Sequence, residues 1–140
     1  MARTTLNRPV ESIEGIGEKY SRKLHELGIF TVNDLLKRGA TRKGREEIAK
    51  ALGVSQSVVL SWVNKADLFR VKGIGEEYSD LLEAAGVDTV AELAQRNPES
   101  LYKKLLEVNE QKKLVRRLPS LKEVKKWVST AKKLKKVVEH

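Results

Sequence analysis

Two short glycine turns, Gly15-Ile16-Gly17 and Gly73-Ile74-Gly75, are the residues of this chain whose spacing suggests chemistry. Two glycines around one aliphatic residue let the backbone bend tightly while the isoleucine anchors the bend in a core. Each turn is followed by a stretch of helical periodicity, so it exposes the first amides of a helix. Those N–H groups have no intrahelical partner, and the helix dipole reinforces them, which makes a seat for phosphate oxygens. Such a contact reads no base. At the first turn Lys19, Arg22 and Lys23 lie close to Glu18 and outweigh it, so Gly15, Ile16 and Gly17 with these three cations form the leading candidate site. The second turn carries Glu76 and Glu77 in the first helical turn, where carboxylates satisfy the dipole and repel phosphate. It reads as structural.

Further cationic candidates lie elsewhere. Thr41-Arg42-Lys43-Gly44-Arg45 precedes a helix and has the charge of a second hairpin, Arg116 and Arg117 sit ahead of Pro119, and Lys132 and Lys133 belong to a lysine-rich last helix. The formal net charge is +9, distributed as +4 over residues 1–69, −4 over 70–100 and +9 over 101–140. A segregated basic surface points to a polyanion, most often nucleic acid, because phosphate neutralisation releases counterions. A solvated lysine face would have the same composition.

The elements that must position these residues are helical. No run alternates apolar and polar residues as a half-buried strand would, so the expected fold class is all-α. The chain is also a tandem repeat: at an offset of 58, residues 13–38 match 71–96 at Gly15/Gly73, Ile16/Ile74, Gly17/Gly75, Tyr20/Tyr78, Leu24/Leu82, Gly28/Gly86 and Thr31/Thr89, among others. Two units follow, 1–69 and 70–140, of about five short helices each; units this small are marginal alone, so they are expected to pack together. Gly28 and Gly86 are placed to stop helices. Thr31 with Asp34, Thr89 with Glu92 and Ser120 with Glu123 have capping-box spacing. Residues 39–44 read as a loop, followed by a helix with Ile48, Ala49 and Leu52 inward, and then a helix from about Ser55 with Val58, Val59, Trp62 and Val63. Pro98 opens a helix to about Val108, which Asn109 ends. In the last helix Leu121, Val124, Trp127, Val128, Ala131 and Leu134 form one apolar stripe against lysines. Trp62 and Trp127 occupy equivalent places, seven residues out of the earlier register.

These residues resemble the helix-hairpin-helix family, in the pattern Ile13-Glu14-Gly15-Ile16-Gly17 with Ser21 and Leu24, and Val71-Lys72-Gly73-Ile74-Gly75 with Ser79 and Leu82. Nearly the whole chain is similar to an uncharacterised family of stand-alone tandem helix-hairpin-helix proteins, in stretches such as Leu81 to Val90 and Lys113 to Leu121. The resemblance implies sequence-independent contact with a DNA backbone through hairpin amides, in some members with a monovalent cation on hairpin carbonyls, and in others a protein-interaction role. Glutamate after the second glycine, in both copies, departs from many DNA-binding hairpins.

Other classes find little support. There is no cysteine, and His25 and His140 lack ligand-like spacing, so neither a metal nor another cofactor is expected. No serine lies in a nucleophile elbow, and the glycine turns lack the preceding strand and third glycine of a dinucleotide site. Catalysis is not expected. Glu46 to Ser55 followed by Val58, Val59 and Trp62 resembles a helix-turn-helix, with Gln56, Ser57, Ser61, Asn64 and Lys65 turned to a groove, but the second repeat lacks that turn. The basic amphipathic last helix fits a membrane surface as well as a docked position, and its matched tryptophan favours docking. Without a signal-peptide core or an apolar span, the expected setting is cytoplasmic. The expected function is non-catalytic, largely sequence-independent binding of nucleic acid, DNA in the first instance. The alternative is a protein-interaction or self-association module whose acidic middle and basic end meet head to tail.

Overall fold

The computed structural model describes residues 5–139 and consists of a 3-10 turn (Val10–Ser12) and eight α-helices: α1 (Glu18–Glu26), α2 (Val32–Gly39), α3 (Arg42–Leu52), α4 (Gln56–Leu68), α5 (Glu76–Ala84), α6 (Val90–Ala94), α7 (Pro98–Lys112) and α8 (Leu121–Lys133). Among the described residues there is no strand, only an isolated antiparallel bridge between Pro9 and Thr31. The protein is all-α. Four helices follow each glycine turn, not five, because the short segment before the first turn closes only as 3-10 geometry.

Side-chain caps start most of these helices. Thr31, Thr41, Ser55, Thr89, Asn97 and Ser120 each accept a hydrogen bond from an amide in the first turn of α2, α3, α4, α6, α7 and α8. Each such cap contributes about 1 kcal/mol. The boxes at Thr31/Asp34 and Ser120/Glu123 are complete. At Thr89 only half of the box forms, since the Glu92 carboxylate turns to Arg96 at 3.4 Å. Gly28, Gly53 and Gly86 stand just beyond helix ends with φ of 82°, 71° and 91°, where a side chain is strained.

Buried apolar residues fall into two clusters. The first gathers Ile13, Ile16, Leu24, Leu35, Ile48, Trp62 and Phe69 with their neighbours from η1 to α4, and takes in Val138 from the far end of the chain. The second gathers Leu68, Ile74, Leu82, Leu93, Leu105, Trp127 and others from α4 to α8. In each, a tyrosine of the post-turn helix tilts against the tryptophan: Tyr20 on Trp62 at 5.4 Å and Tyr78 on Trp127 at 5.2 Å, both at 53°. The expected equivalence of the two tryptophans is therefore geometric as well as sequential. Residues beyond α8 cross back to the first cluster. Arg70 holds this tail by donating to the Lys135 carbonyl at 2.7 Å, and the Glu139 amide donates to the Ala40 carbonyl at 2.7 Å.

Several boundaries differ from expectation. Residues 39–44 are not a loop: α2 runs through Gly39, Thr41 caps, and Arg42, Lys43 and Gly44 are already the first turn of α3. Both glycines there serve close packing. A methyl at Gly39 would stand 2.3 Å from Val63 Cγ2, and one at Gly44 would stand 1.8 Å from the Arg38 carbonyl oxygen. Helix α7 passes Val108 to Lys112 and ends at Lys113 with φ of 50°. Asn109 instead pins the following chain, donating to the Val115 carbonyl and accepting from its amide at 3.0 Å. Val58, expected inward, is 38% exposed.

Candidate nucleic-acid interface

Helix α1 begins at Gly17, whose lack of a side chain leaves the helix without a side-chain cap. The first amide with a partner is Ser21, which donates to the Gly17 carbonyl at 2.9 Å. Among the described residues, the amides of Glu18, Lys19 and Tyr20 make no hydrogen bond. The carboxylate that could have closed this end is drawn away, because Glu18 pairs with Arg22 at 2.6 Å on an exposed face. A side chain at Gly17 would meet no atom within 4 Å, so the approach is open. Lys19, Arg22, Lys23, Glu18 and Glu26 line one shallow cleft beside it. The turn itself is held from below: Ile16 is buried in the first cluster and Gly15 has φ of 97°. Ser21 fits under the turn as a buried small residue whose hydroxyl donates to the Glu18 carbonyl. Gly15, Ile16, Gly17, Lys19, Arg22 and Lys23 are therefore together.

The second turn has the same backbone but a different outlook. Gly75 also leaves α5 without a side-chain cap. Here Thr5 lies against it, its hydroxyl donating to the Ile74 carbonyl at 2.8 Å. Glu76 and Glu77 line the adjoining cleft together with Arg8 and Lys72. On this rim two carboxylates face two cations, so it offers an anion no excess of positive charge.

The basic segment at 42–45 is the chief correction. The α3 amides that looked like a second seat are closed by the chain itself: the Arg42 amide donates to Glu139 Oε1 at 3.2 Å and the Gly44 amide to Thr41 Oγ1 at 3.0 Å. Arg45 is 5% exposed and faces inward. Its guanidinium donates to the carbonyls of Gly39 at 2.7 Å, Ala40 at 3.1 Å and Glu139. Burial pushes its pKa down, while the nearby Glu139 carboxylate works the other way. A side chain three residues into an amphipathic helix was given a surface role by its charge, but the carbonyls at the end of α2 needed a donor. Lys43 remains on the surface.

The remaining cations are dispersed. Arg116 is exposed; Arg117 forms a bidentate pair with Glu123, at 3.0 Å to Oε1 and 3.2 Å to Oε2, and its carbonyl accepts from the Tyr78 hydroxyl at 2.9 Å, beside the second turn. Lys132 and Lys133 are exposed at the end of α8, whose apolar stripe is buried in the second cluster. Arg38, at the end of α2, donates to the Leu27 carbonyl, at the opposite end of α1 from Gly17. The groove-facing set on α4 is also corrected at Lys65, which is 8% exposed and joins Asp80 at 3.2 Å and Glu83 at 3.5 Å on α5. Burial raises the Asp80 pKa, and Lys65 partly offsets this. His25 stacks on Phe30, and His140 lies outside the described residues.

Among the described residues no group of histidines, cysteines and carboxylates is placed to hold a metal ion, and no helix is long and apolar enough to cross a membrane. Thr5, Arg8 and Glu139 were not legible as parts of these turns. Their signal is tertiary, because each reaches an element at least 60 residues away or is set by one.

Comparison with known proteins adds two findings. The chain is similar to DNA polymerase IV of Streptococcus pyogenes serotype M1, 39% identical over 83 residues, which cover 53% of this chain and 21% of the polymerase. It thus spans about a fifth of that relative, and no solved structure matches it. A family model described as "Domain of unknown function (DUF4332)" matches residues 14–134, and the chain belongs to that family.

Proposed function

We propose that this protein is a non-catalytic DNA-binding module of two helix-hairpin-helix units, 1–69 and 70–140, that grips the phosphate backbone without reading sequence. The observation that carries this reading is the contrast among helix starts. Six are closed by hydroxyl or amide side chains, whereas α1 opens through Gly17 onto solvent with Lys19 and Lys23 beside it. Open amides at a helix start favour an anion, and flanking lysines add the charge that a polyphosphate selects. Arg22 is shared with Glu18, so the two lysines supply most of the net charge. The 39% similarity to part of a DNA polymerase supports DNA as the polyanion.

Fluorescence anisotropy with a mixed-sequence duplex tests this. With about three phosphates neutralised, log affinity should fall against log salt with a slope of roughly −2.7. Lys19→Gln with Lys23→Gln should weaken binding and flatten the slope by about 1.8, two contacts at about 0.9 each. Gly17→Ala should fold, since its φ of −87° is open to alanine, yet place a methyl at the mouth of the seat. Binding that is insensitive to salt, or unchanged in both variants, refutes the site. Light scattering that shows salt-sensitive self-association without DNA binding would favour the interaction-module alternative.

A further inference from the structure

Each tryptophan lays its indole Nε1 against the first glycine of a turn. A methyl at Gly15 would stand 3.0 Å from Trp62 Nε1, and one at Gly73 would stand 3.1 Å from Trp127 Nε1. Both rings are buried, at 3% and 2% exposure, and both tilt on a tyrosine in the same way. The indole placement therefore belongs to the shared scaffold. What surrounds it does not.

In the second copy the ring borders an open cleft lined by Lys72, Gly73, Lys126, Ser129 and Thr130. Among the described residues Trp127 Nε1–H has no hydrogen-bond partner, and Trp127 shares the cleft lining with Lys72, Lys126, Ser129 and Thr130. Glu123 also lines the cleft, but its charge is already engaged by Arg117, and its Oε1 accepts from the Ser120 amide at 3.0 Å. Neither lysine forms an ion pair among the described residues. In the first copy the matching positions hold Glu14 for Lys72 and Ser61 for Lys126, and the Ser61 hydroxyl donates to the Val58 carbonyl at 2.7 Å. The same indole edge there lacks the cations.

We propose that the cleft between the Gly73 turn and α8 is a second phosphate-binding site. Trp127 Nε1–H donates to one phosphate oxygen, Lys72 and Lys126 neutralise the group, and Gly73 leaves room for it to approach. The site deepens the DNA-backbone reading by adding a contact on the opposite copy, and it rests on that reading only for the source of the phosphate. It also gives the second unit a role that its acidic α5 start does not supply.

The chain has two tryptophans, so the indole region of a nitrogen–proton correlation spectrum holds two signals, assigned with Trp62→Phe. The labelled protein is titrated with a short mixed-sequence duplex and, separately, with inorganic phosphate. The Trp127 signal should move with the duplex, whereas Trp62, packed on the Gly15 turn, reports the first site. Lys72→Gln with Lys126→Gln should weaken the Trp127 response about tenfold and leave the Trp62 response and the far-ultraviolet dichroism unchanged. Movement with inorganic phosphate alone would support the site and remove DNA as its ligand. A Trp127 signal unmoved by both titrants overturns the proposal, even if the duplex still binds through Lys19 and Lys23. So does a full response in the double lysine variant.

Discussion

Replacing Arg45 by alanine separates a structural cation from a binding one. The guanidinium is buried and donates to three carbonyls, those of Gly39, Ala40 and Glu139. Hydrogen bonds to a charged group contribute about 1.5–3 kcal/mol each. Three at the lower bound give about 4.5 kcal/mol; relief of guanidinium desolvation and access of water to the outer carbonyls reduce this to about 3 kcal/mol. At roughly 4 °C per kcal/mol for a chain of this size, the melting temperature should fall by about 12 °C. Urea unfolding followed by far-ultraviolet dichroism gives the free energy directly. Lys43→Ala, one turn face away and exposed, is the control and should stay within about 0.5 kcal/mol. Below its melting temperature, Arg45→Ala should still bind duplex nearly as well as the parent. Stability unchanged within about 1 kcal/mol, together with a tenfold loss of binding, would refute the assignment and restore Arg45 to the phosphate surface.

Further outcomes can be measured on the same protein. Gly39→Ala forces a methyl into Val63 Cγ2 at 2.3 Å and should cost about 1–3 kcal/mol in urea unfolding, whereas Gly17→Ala should cost about 0.5 kcal/mol. Asp34 accepts from the Phe30 and Thr31 amides, which hold its pKa below the ordinary carboxylate value. A depressed folded pKa gives stability that is present above the unfolded pKa and lost as pH falls through the folded one. Asp34→Asn should therefore flatten the acid limb of a melting profile below about pH 4. Asp80 is shifted the opposite way, chiefly by burial, so its contribution is largest below the unfolded pKa and declines as pH rises through the folded one; Asp80→Asn should remove that decline. Asp67→Asn weakens both the Arg70 pair at 2.9 Å and the acceptor for the Val90 amide at 3.0 Å, and should destabilise by about 2 kcal/mol.

Local rules carried most of the helix pattern. Ser, Thr and Asn caps mark their own positions, and glycine beyond a helix end signals a left-handed residue, so the starts at Thr31, Ser55 and Ser120 and the stops at Gly28 and Gly86 were readable one at a time. The matched tryptophans were readable as a pair because the repeat supplies an internal comparison. The segment at 39–44 was misread since glycine is most often a breaker, and nothing local says that Gly39 and Gly44 are small for the sake of Val63 and the Arg38 carbonyl. Charge misled at Arg45 and Lys65 for a related reason: a long basic side chain can turn inward when carbonyls or carboxylates from another element await it. At the first turn Gly17, Lys19, Arg22 and Lys23 lie together because they are neighbours in sequence, whereas Trp62, which packs on Gly15, comes from another element. The closure of α3 depends on Glu139, 97 residues away from Arg42, and could not be seen without the fold.

That distant closure also bears on how the molecule is made. Val138 completes the earlier of the two apolar clusters, and Glu139 seals a helix that emerges nearly a hundred residues before it. During synthesis residues 5–69 leave the ribosome with an open flank, which Val138 and Glu139 cover. Their final tightening must wait until Val138 and Glu139 have been made, by which time the segment around Trp127 has had the opportunity to assemble.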